Sequence, residues 1–239
     1  MDTCYSRETL GNLVTQNFVR SQVFEKLGLD YCCGGTRLLE EACHEKSLDV
    51  AAVVHALELC DVSEAKTLAT DWATAPLSQL VNHIVQEHHA YLREELPPLA
   101  QLVAKVAVAH GKAHSELYEL QTVFLRFKTE LHSHLIQEET LLFPLIQGLD
   151  SAPSSRVAML LPLMQTLHKE HDMVGRSLTM MRQITKDYSA PDTACNSYRA
   201  LMIRLLRLEK DLHQHVHKEN NILFPRVQRR VQQERTLLA

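Results

Sequence analysis

His132-Ser133-His134-Leu135-Ile136-Gln137-Glu138-Glu139-Thr140-Leu141-Leu142-Phe143-Pro144 and His213-Gln214-His215-Val216-His217-Lys218-Glu219-Asn220-Asn221-Ile222-Leu223-Phe224-Pro225 are one pattern written twice. The matched residues, from Leu131 and Leu212 to Pro144 and Pro225, are displaced by the same 81 positions, which points to an internal duplication. In each copy a histidine and a glutamate stand four apart: His134 with Glu138, and His215 with Glu219. Four residues nearly complete a helical turn, so each copy offers an imidazole and a carboxylate on one face. Two further histidines fit the frame, because His89 precedes His134 by 45 residues and His171 precedes His215 by 44. A helix of roughly 25 to 30 residues and a short turn fill such an interval. The spacing predicts four antiparallel helices that bring all six side chains to one level of a bundle core.

The rest of the composition agrees with helices. The chain has 239 residues, 45% of them apolar, with only 7 Gly, 8 Pro and few aromatics, which predicts an all-α protein with short loops. We expect an antiparallel up-down four-helix bundle at residues 77–232, preceded by a small helical domain at residues 1–70. A net charge of -4 gives no general attraction to phosphate backbones, so nucleic acid is not an expected partner. No apolar stretch approaches the ~20 residues that cross a bilayer, and no basic-then-apolar leader begins the chain, so the expectation is cytoplasmic with no membrane partner. The six cysteines (Cys4, Cys32, Cys33, Cys43, Cys60 and Cys195) lack the spacing of a secreted disulfide framework and read as thiols.

Along the chain, residues 9–29 carry apolar side chains at helical spacing and stop at Gly28. Leu29-Asp30-Tyr31-Cys32-Cys33-Gly34-Gly35-Thr36 reads as a turn, with Thr36 capping a helix that begins at Arg37. Asp49 caps the next helix, to about Cys60. The apolar period then breaks until residue 77. Bundle helices are expected at about 77–110, bent at Pro97-Pro98 and closed by Gly111, then at 115–146, 156–188 and 193–230, with a turn at 148–155 and a fraying end beyond Arg230.

Imidazole nitrogen and carboxylate oxygen form the donor set used for iron or manganese, whereas structural zinc more often recruits cysteine. Four histidines and two glutamates suit two metals, with His89, His134, His171 and His215 as terminal ligands and Glu138 and Glu219 bridging. Two ferric ions, two glutamates and a bridging oxide leave a modest cationic core. Without metal, two buried carboxylates facing each other would repel. A single HxxxE pair is ordinary on a solvated face; two in register, each preceded by a spaced histidine, are not. His132 and His213 lie about 200° from their ligand neighbours and are poor ligands. His88 and His168 read as spare or supporting groups. Phe143 and Phe224 read as core packing, and Leu135, Ile136, Leu142 and Leu223 as the apolar wall of the site.

Over nearly its whole length the chain resembles the iron-sulfur cluster repair di-iron proteins of the YtfE/ScdA/NorA type. Leu29-Asp30-Tyr31-Cys32-Cys33-Gly34-Gly35 looks like the signature of that family's short N-terminal domain. Glu170-His171-Asp172, Glu138-Glu139 with Leu142-Phe143-Pro144, and Glu219 through Pro225 stand where its hemerythrin-like domain has ligand motifs. The resemblance implies the same six ligands that spacing selects, holding two oxo- or hydroxo-bridged iron ions per chain. It further implies repair of clusters damaged by nitric oxide or oxidants through donation of labile iron, with damaged iron-sulfur proteins as partners. Nitric oxide or oxygen would be small ligands; binding, sensing or reducing nitric oxide at the same centre is the alternative, which leaves enzyme status open. Cys32 and Cys33 are the second functional pair: adjacent thiols before a helix start can have lowered pKa and assist iron transfer. Cys4, Cys43, Cys60 and Cys195 are expected to be mostly small buried groups, and the reading admits a homodimer.

Overall fold

The computed structural model describes residues 3–62, 70–149 and 154–237. It is all-α, with no strand among the described residues beyond one isolated bridge between Thr9 and Leu38. The chain forms two compact units, one comprising residues up to Leu80 together with those from His213 onward, the other Val81–Leu212.

Long helical runs build the bundle of the second unit. The first consists of α6 (Leu77–His83), a widened π turn at Ile84–His89 (π1) and α7 (Ala90–His110). The second consists of α8 (Glu116–Gln137), a π turn at Glu138–Leu142 (π2) and α9 (Phe143–Gln147); the third is α10 (Ser154–Ile184) and the fourth α11 (Asn196–His217). Their buried residues alternate at three and four: Leu92, Leu96, Leu99, Val103 and Val106 on α7, and Leu117, Leu120, Phe124, Phe127, Leu131 and His134 on α8. The same alternation runs through Leu160, Met164, Leu167, His171, Val174, Leu178 and Met181 on α10, and Tyr198, Leu201, Leu205, Leu208 and Leu212 on α11. This is the seam of a helical bundle, in which each step of 3.5 residues returns to the facing helix. His134 and His171 therefore stand at seam positions, and that is why they are buried. Around the apolar core, Arg182 pairs with Glu209 at 2.8 Å and Arg204 with Glu95 at 2.7 Å.

Helix α7 runs through Pro97 and Pro98 and ends against Gly111, whose N–H donates to Ala107 O at 2.8 Å. Helix α10 begins at Ser154, two residues before the expected start, and residues 150–153 of the expected turn at 148–155 lie outside the described residues.

In the first unit, α1 (Thr3–Ser6), α2 (Leu10–Gln16), α3 (Ser21–Leu27), α4 (Leu39–Glu45) and α5 (Val50–Val62) include the apolar cluster of Leu10, Leu13, Val14, Phe24, Leu39, Cys43, Val53 and Leu57. Thr9 caps α2 by accepting from Asn12 N, and Gly28 ends α3 in the left-handed conformation, φ 65°. Asp49 caps α5 by accepting from Ala51 N at 3.0 Å. Helix α4 starts at Leu39 and not at Arg37, so Thr36 is not its cap. The reason lies in the neighbouring chain: Gly35 O and Arg37 O accept from Gly11 N at 2.8 Å and Leu10 N at 2.9 Å, and Arg37 N donates to Gly34 O at 3.1 Å, which holds this stretch as a turn. Arg20 and Asp61 form an ion pair at 2.6 Å, and Asn17 and Tyr5 also donate to the Asp61 carboxylate.

Candidate metal centre

The second unit brings four of the expected ligands together. Glu138 is fully buried, and three imidazoles turn Nε2 toward its carboxylate: His134 at 3.2 Å, His89 at 3.4 Å and His171 at 3.6 Å. Each arrives from a different run, His89 from π1, His134 and Glu138 from the α8–π2 junction, and His171 from α10. The far side of two rings is fixed as well. His134 Nδ1 lies 2.7 Å from Glu170 Oε2, and His89 Nδ1 lies 2.7 Å from Glu139 Oε1, a carboxylate that also pairs with Arg93. Such partners hold the proton on Nδ1 and leave the Nε2 lone pair facing inward. His89 is further stacked on Phe143, ring centres 5.5 Å apart.

Neither Glu138 oxygen accepts a well-formed hydrogen bond, although both are shut off from water. His134 Nε2 and His171 Nε2 face each other at 3.0 Å. Nitrogen lone pairs converging on a buried carboxylate repel unless something positive lies between them, and a buried charge left uncompensated costs several kcal/mol. In the metal-free chain a proton fills part of this role. Burial alone would lower the pKa of His134, but the Glu138 charge beside it and the hydrogen bond with Glu170 raise it to about 9. Burial alone would raise that of Glu138, but His134, His171 and His89 hold it well below the usual carboxylate range. The donor set of oxygen with three nitrogens fits a cation of the iron or manganese kind.

In the first unit, His215 Nε2 and Glu219 Oε1 are 3.1 Å apart and both residues are buried. Glu219 belongs to a third widened turn, π3 (Lys218–Leu223), which leads into α12 (Phe224–Leu237). The three π turns share their local form: Ala90, Phe143 and Phe224 donate N–H five residues back, to Val85 O, Glu138 O and Glu219 O. At π2 and π3 the cause is readable, since Pro144 and Pro225 lack an N–H and their rings would press on the carbonyls of Thr140 and Asn221. The repeated Leu-Phe-Pro ending is thus a signal for a widened turn, which the four-residue spacing alone did not reveal.

The cysteine pair occupies the turn between α3 and α4. Asp30 Oδ1 accepts from Cys32 N and Cys33 N, each at 3.0 Å, and from Cys32 Sγ at 3.2 Å. The expectation of a lowered pKa fails for Cys32: a hydrogen bond with Cys33 and burial push its thiol well above the usual value. Asp30, Cys32 and Cys33 nonetheless turn potential ligand atoms to within 4.8 Å of one another. Of the remaining cysteines, Cys43 is buried and Cys60 half-buried, whereas Cys195 is exposed, contrary to expectation, because it precedes α11 at the solvent-facing start of that helix. The side chain of Cys4 lies outside the described residues.

His132 and His168 are exposed, and His213 instead packs its ring against Tyr31. His88 is buried and bonded through Nδ1 to Asp211 at 2.9 Å. Leu135, Leu142 and Leu223 are buried as expected of an apolar wall, but Ile136 is 47% exposed, because it falls between the seam positions of α8. Reading by spacing missed the supporting roles of Glu139 and Glu170, each next to a ligand candidate in sequence, and the contacts of His217 and Asn221.

With this geometry in view, the comparisons with known proteins are specific. The ScdA_N family model, described as "Domain of Unknown function (DUF542)", matches residues 6–61, and "Hemerythrin HHE cation binding domain" matches residues 80–227. An iron-sulfur cluster repair protein YtfE of Yersinia pseudotuberculosis serotype IB (strain PB1/+) is 33% identical over 226 residues, 94% of this chain and 98% of that one. One from Citrobacter koseri is 34% identical over 220 residues, 92% and 96% of the two chains. A probable iron-sulfur cluster repair protein of Haemophilus influenzae is 32% identical over 223 residues, 93% and 97%. With both family regions in this order and alignment across nearly its full length, the chain belongs to the YtfE family of iron-sulfur cluster repair proteins.

Proposed function

We propose that this chain repairs iron-sulfur clusters damaged by nitrosative or oxidative stress by supplying iron from a di-iron centre. Its ligands are His89, His134, Glu138, His171, His215 and Glu219, with the two glutamates and an oxo or hydroxo group as bridges. Residues 77–232 serve as the metal-holding domain and residues 1–70 as the domain of the cysteine pair. The observation that carries this reading is the buried Glu138 carboxylate, faced by three Nε2 atoms and accepting no well-formed hydrogen bond. The names of relatives aligned over nearly the whole chain agree with it.

Iron bound there supplies an ion that changes oxidation state and exchanges its ligands. The protein's own groups do the rest. Glu139 and Glu170 keep His89 and His134 in the tautomer that presents Nε2 inward. Six protein ligands for two ions leave coordination positions open, which favours exchange over permanent retention. Leu135 and Leu142 keep water from the carboxylate, and Cys32 and Cys33 offer sulfur donors for the outgoing iron once a proton is removed.

The test is a recovery assay. Iron-loaded protein is added to a dehydratase whose cluster has been damaged with nitric oxide, and regained activity is followed. The parent restores the target, and the Glu138→Ala, Glu219→Ala double variant does not. Equal recovery by both would defeat the proposal. Iron analysis with Mössbauer spectroscopy of anaerobically purified protein independently reads the number of ions and the bridge.

A further inference from the structure

Within the first unit, one side chain of π3 is built into the cysteine turn. Asn221 Nδ2 donates to Cys32 O at 2.9 Å and to Tyr31 O at 3.3 Å. Its other face fills the space above two glycines. A Cβ on Gly35 would lie 2.2 Å from Asn221 Oδ1 and 2.7 Å from Tyr31 O, and one on Gly11 would lie 2.3 Å from Asn221 Oδ1. Those two glycines are themselves joined, Gly11 N to Gly35 O at 2.8 Å. No side chain is tolerated at either position while Asn221 stays in place.

A second brace lies one helical turn earlier. The Tyr31 ring stands edge-on to His217 with centres 5.5 Å apart, and His217 Nδ1 is 3.4 Å from Tyr31 O. The Tyr31 and Cys32 carbonyls belong to a turn, where no helix supplies donors, and a half-buried amide side chain with two N–H groups is suited to satisfy both. Asn221 is two residues from Glu219, within the same widened turn.

We propose that Asn221 is a positioning residue that fastens the Cys32–Cys33 turn to the turn carrying Glu219, so that the exposure of the thiols follows the conformation of that turn. Asn221 acts through its hydrogen bonds to the backbone of Tyr31 and Cys32. The clamp is a property of the protein without metal; its use in iron transfer rests on the function proposed above.

The experiment measures site-resolved alkylation by iodoacetamide and peptide mass spectrometry on the full-length protein. Exposed Cys195 serves as internal standard and buried Cys43 as reporter of general loosening. In the metal-free protein, Asn221→Ala raises the rates at Cys32 and Cys33 by about fivefold relative to Cys195, as loss of amide hydrogen bonds to a local turn implies, and leaves Cys43 protected. Asn221→Asp, which keeps the shape but loses the Nδ2 donors, does the same. Unchanged rates at Cys32 and Cys33, or a parallel rise at Cys43, would overturn the clamp. In a second arm, iron(II) slows alkylation of both thiols in the parent but not in Asn221→Ala. Iron that binds the parent by metal analysis yet leaves the thiols unaffected, or protects them equally in the variant, would overturn the coupling. Failure of iron to bind would count against the di-iron reading, and the metal-free arm would still decide the clamp.

Discussion

Glu138 concentrates the chemistry of the bundle: a carboxylate at 0% exposure whose neighbours are nitrogens held ready by their own partners. Replacing it with alanine is expected to lower the iron bound per chain, read by metal analysis, while far-UV circular dichroism stays that of a helical bundle. Glu139→Ala and Glu170→Ala remove the acceptors of His89 Nδ1 and His134 Nδ1. Each is expected to weaken iron binding by about 10- to 100-fold in chelator competition, the range found when such supporting carboxylates are lost. An unchanged affinity would show that those carboxylates do not orient the rings. Cys195 gives a residue-scale test of pH dependence. The backbone N–H of Tyr198, then His110 with Nε2 3.1 Å from the sulfur, lower its pKa to about 7. Because the thiolate reacts, its alkylation rate should rise with pH and be half-maximal near that value, while Cys32, pushed upward, reacts slowly at neutral pH.

Among the elements, the π turns set the phase of the helices at the site. Pro144 stands immediately after the Phe143 that closes π2. Pro144→Ala restores an N–H and removes the ring, so the turn can tighten and rotate Glu138 from its place. We expect iron affinity to fall by roughly tenfold, as for other losses of ligand support, with helicity unchanged. Gly28 illustrates a requirement of a different kind, since its φ of 65° is strained for any residue with a Cβ. Gly28→Ala should cost about 1 kcal/mol in urea unfolding of the metal-free protein. Both features were partly legible in the sequence. The Leu-Phe-Pro repeat was visible but not what it does to hydrogen bonding, because proline's effect on a helix depends on whether tertiary packing preserves the run.

For the molecule as a whole, stability should depend on acid and on metal in separable ways. Burial would raise the pKa of Asp61, but the hydrogen bonds of Arg20, Tyr5 and Asn17 lower it well below the usual value. A depressed folded pKa means that the unfolded chain binds the proton more readily, so the stabilisation is complete above about pH 4 and is lost as pH falls through the folded value. Asp61 is 18% exposed on its side chain, so screening is modest. Asp61→Asn, which leaves Arg20 buried without its charge partner, should cost about 3 kcal/mol at neutral pH and flatten the acid dependence of the urea midpoint. Iron should raise stability independently, by about 2.7 kcal/mol when its unbound concentration is 100 times the dissociation constant, seen as a rise in thermal midpoint that the Glu138→Ala, Glu219→Ala variant lacks.

The amino-acid order alone determined the helical class, the duplicated His-Glu pairs and the seam on which His134 and His171 lie, because helical periodicity converts spacing directly into facing. It could not determine the state of the thiols or the supporting partners. Cys32 lies in a turn whose backbone is held by distant chain, through Asn221 Nδ2 on its carbonyl, and Ile136 lies midway between His134 and Glu138, so its exposure follows from which face the bundle covers. Asn221 looks like any polar residue beside a ligand motif until Gly11 and Gly35, far away in sequence, are seen to make room for it. Local pattern fixes which way a side chain faces along its own helix; only the packed chain decides what it meets there.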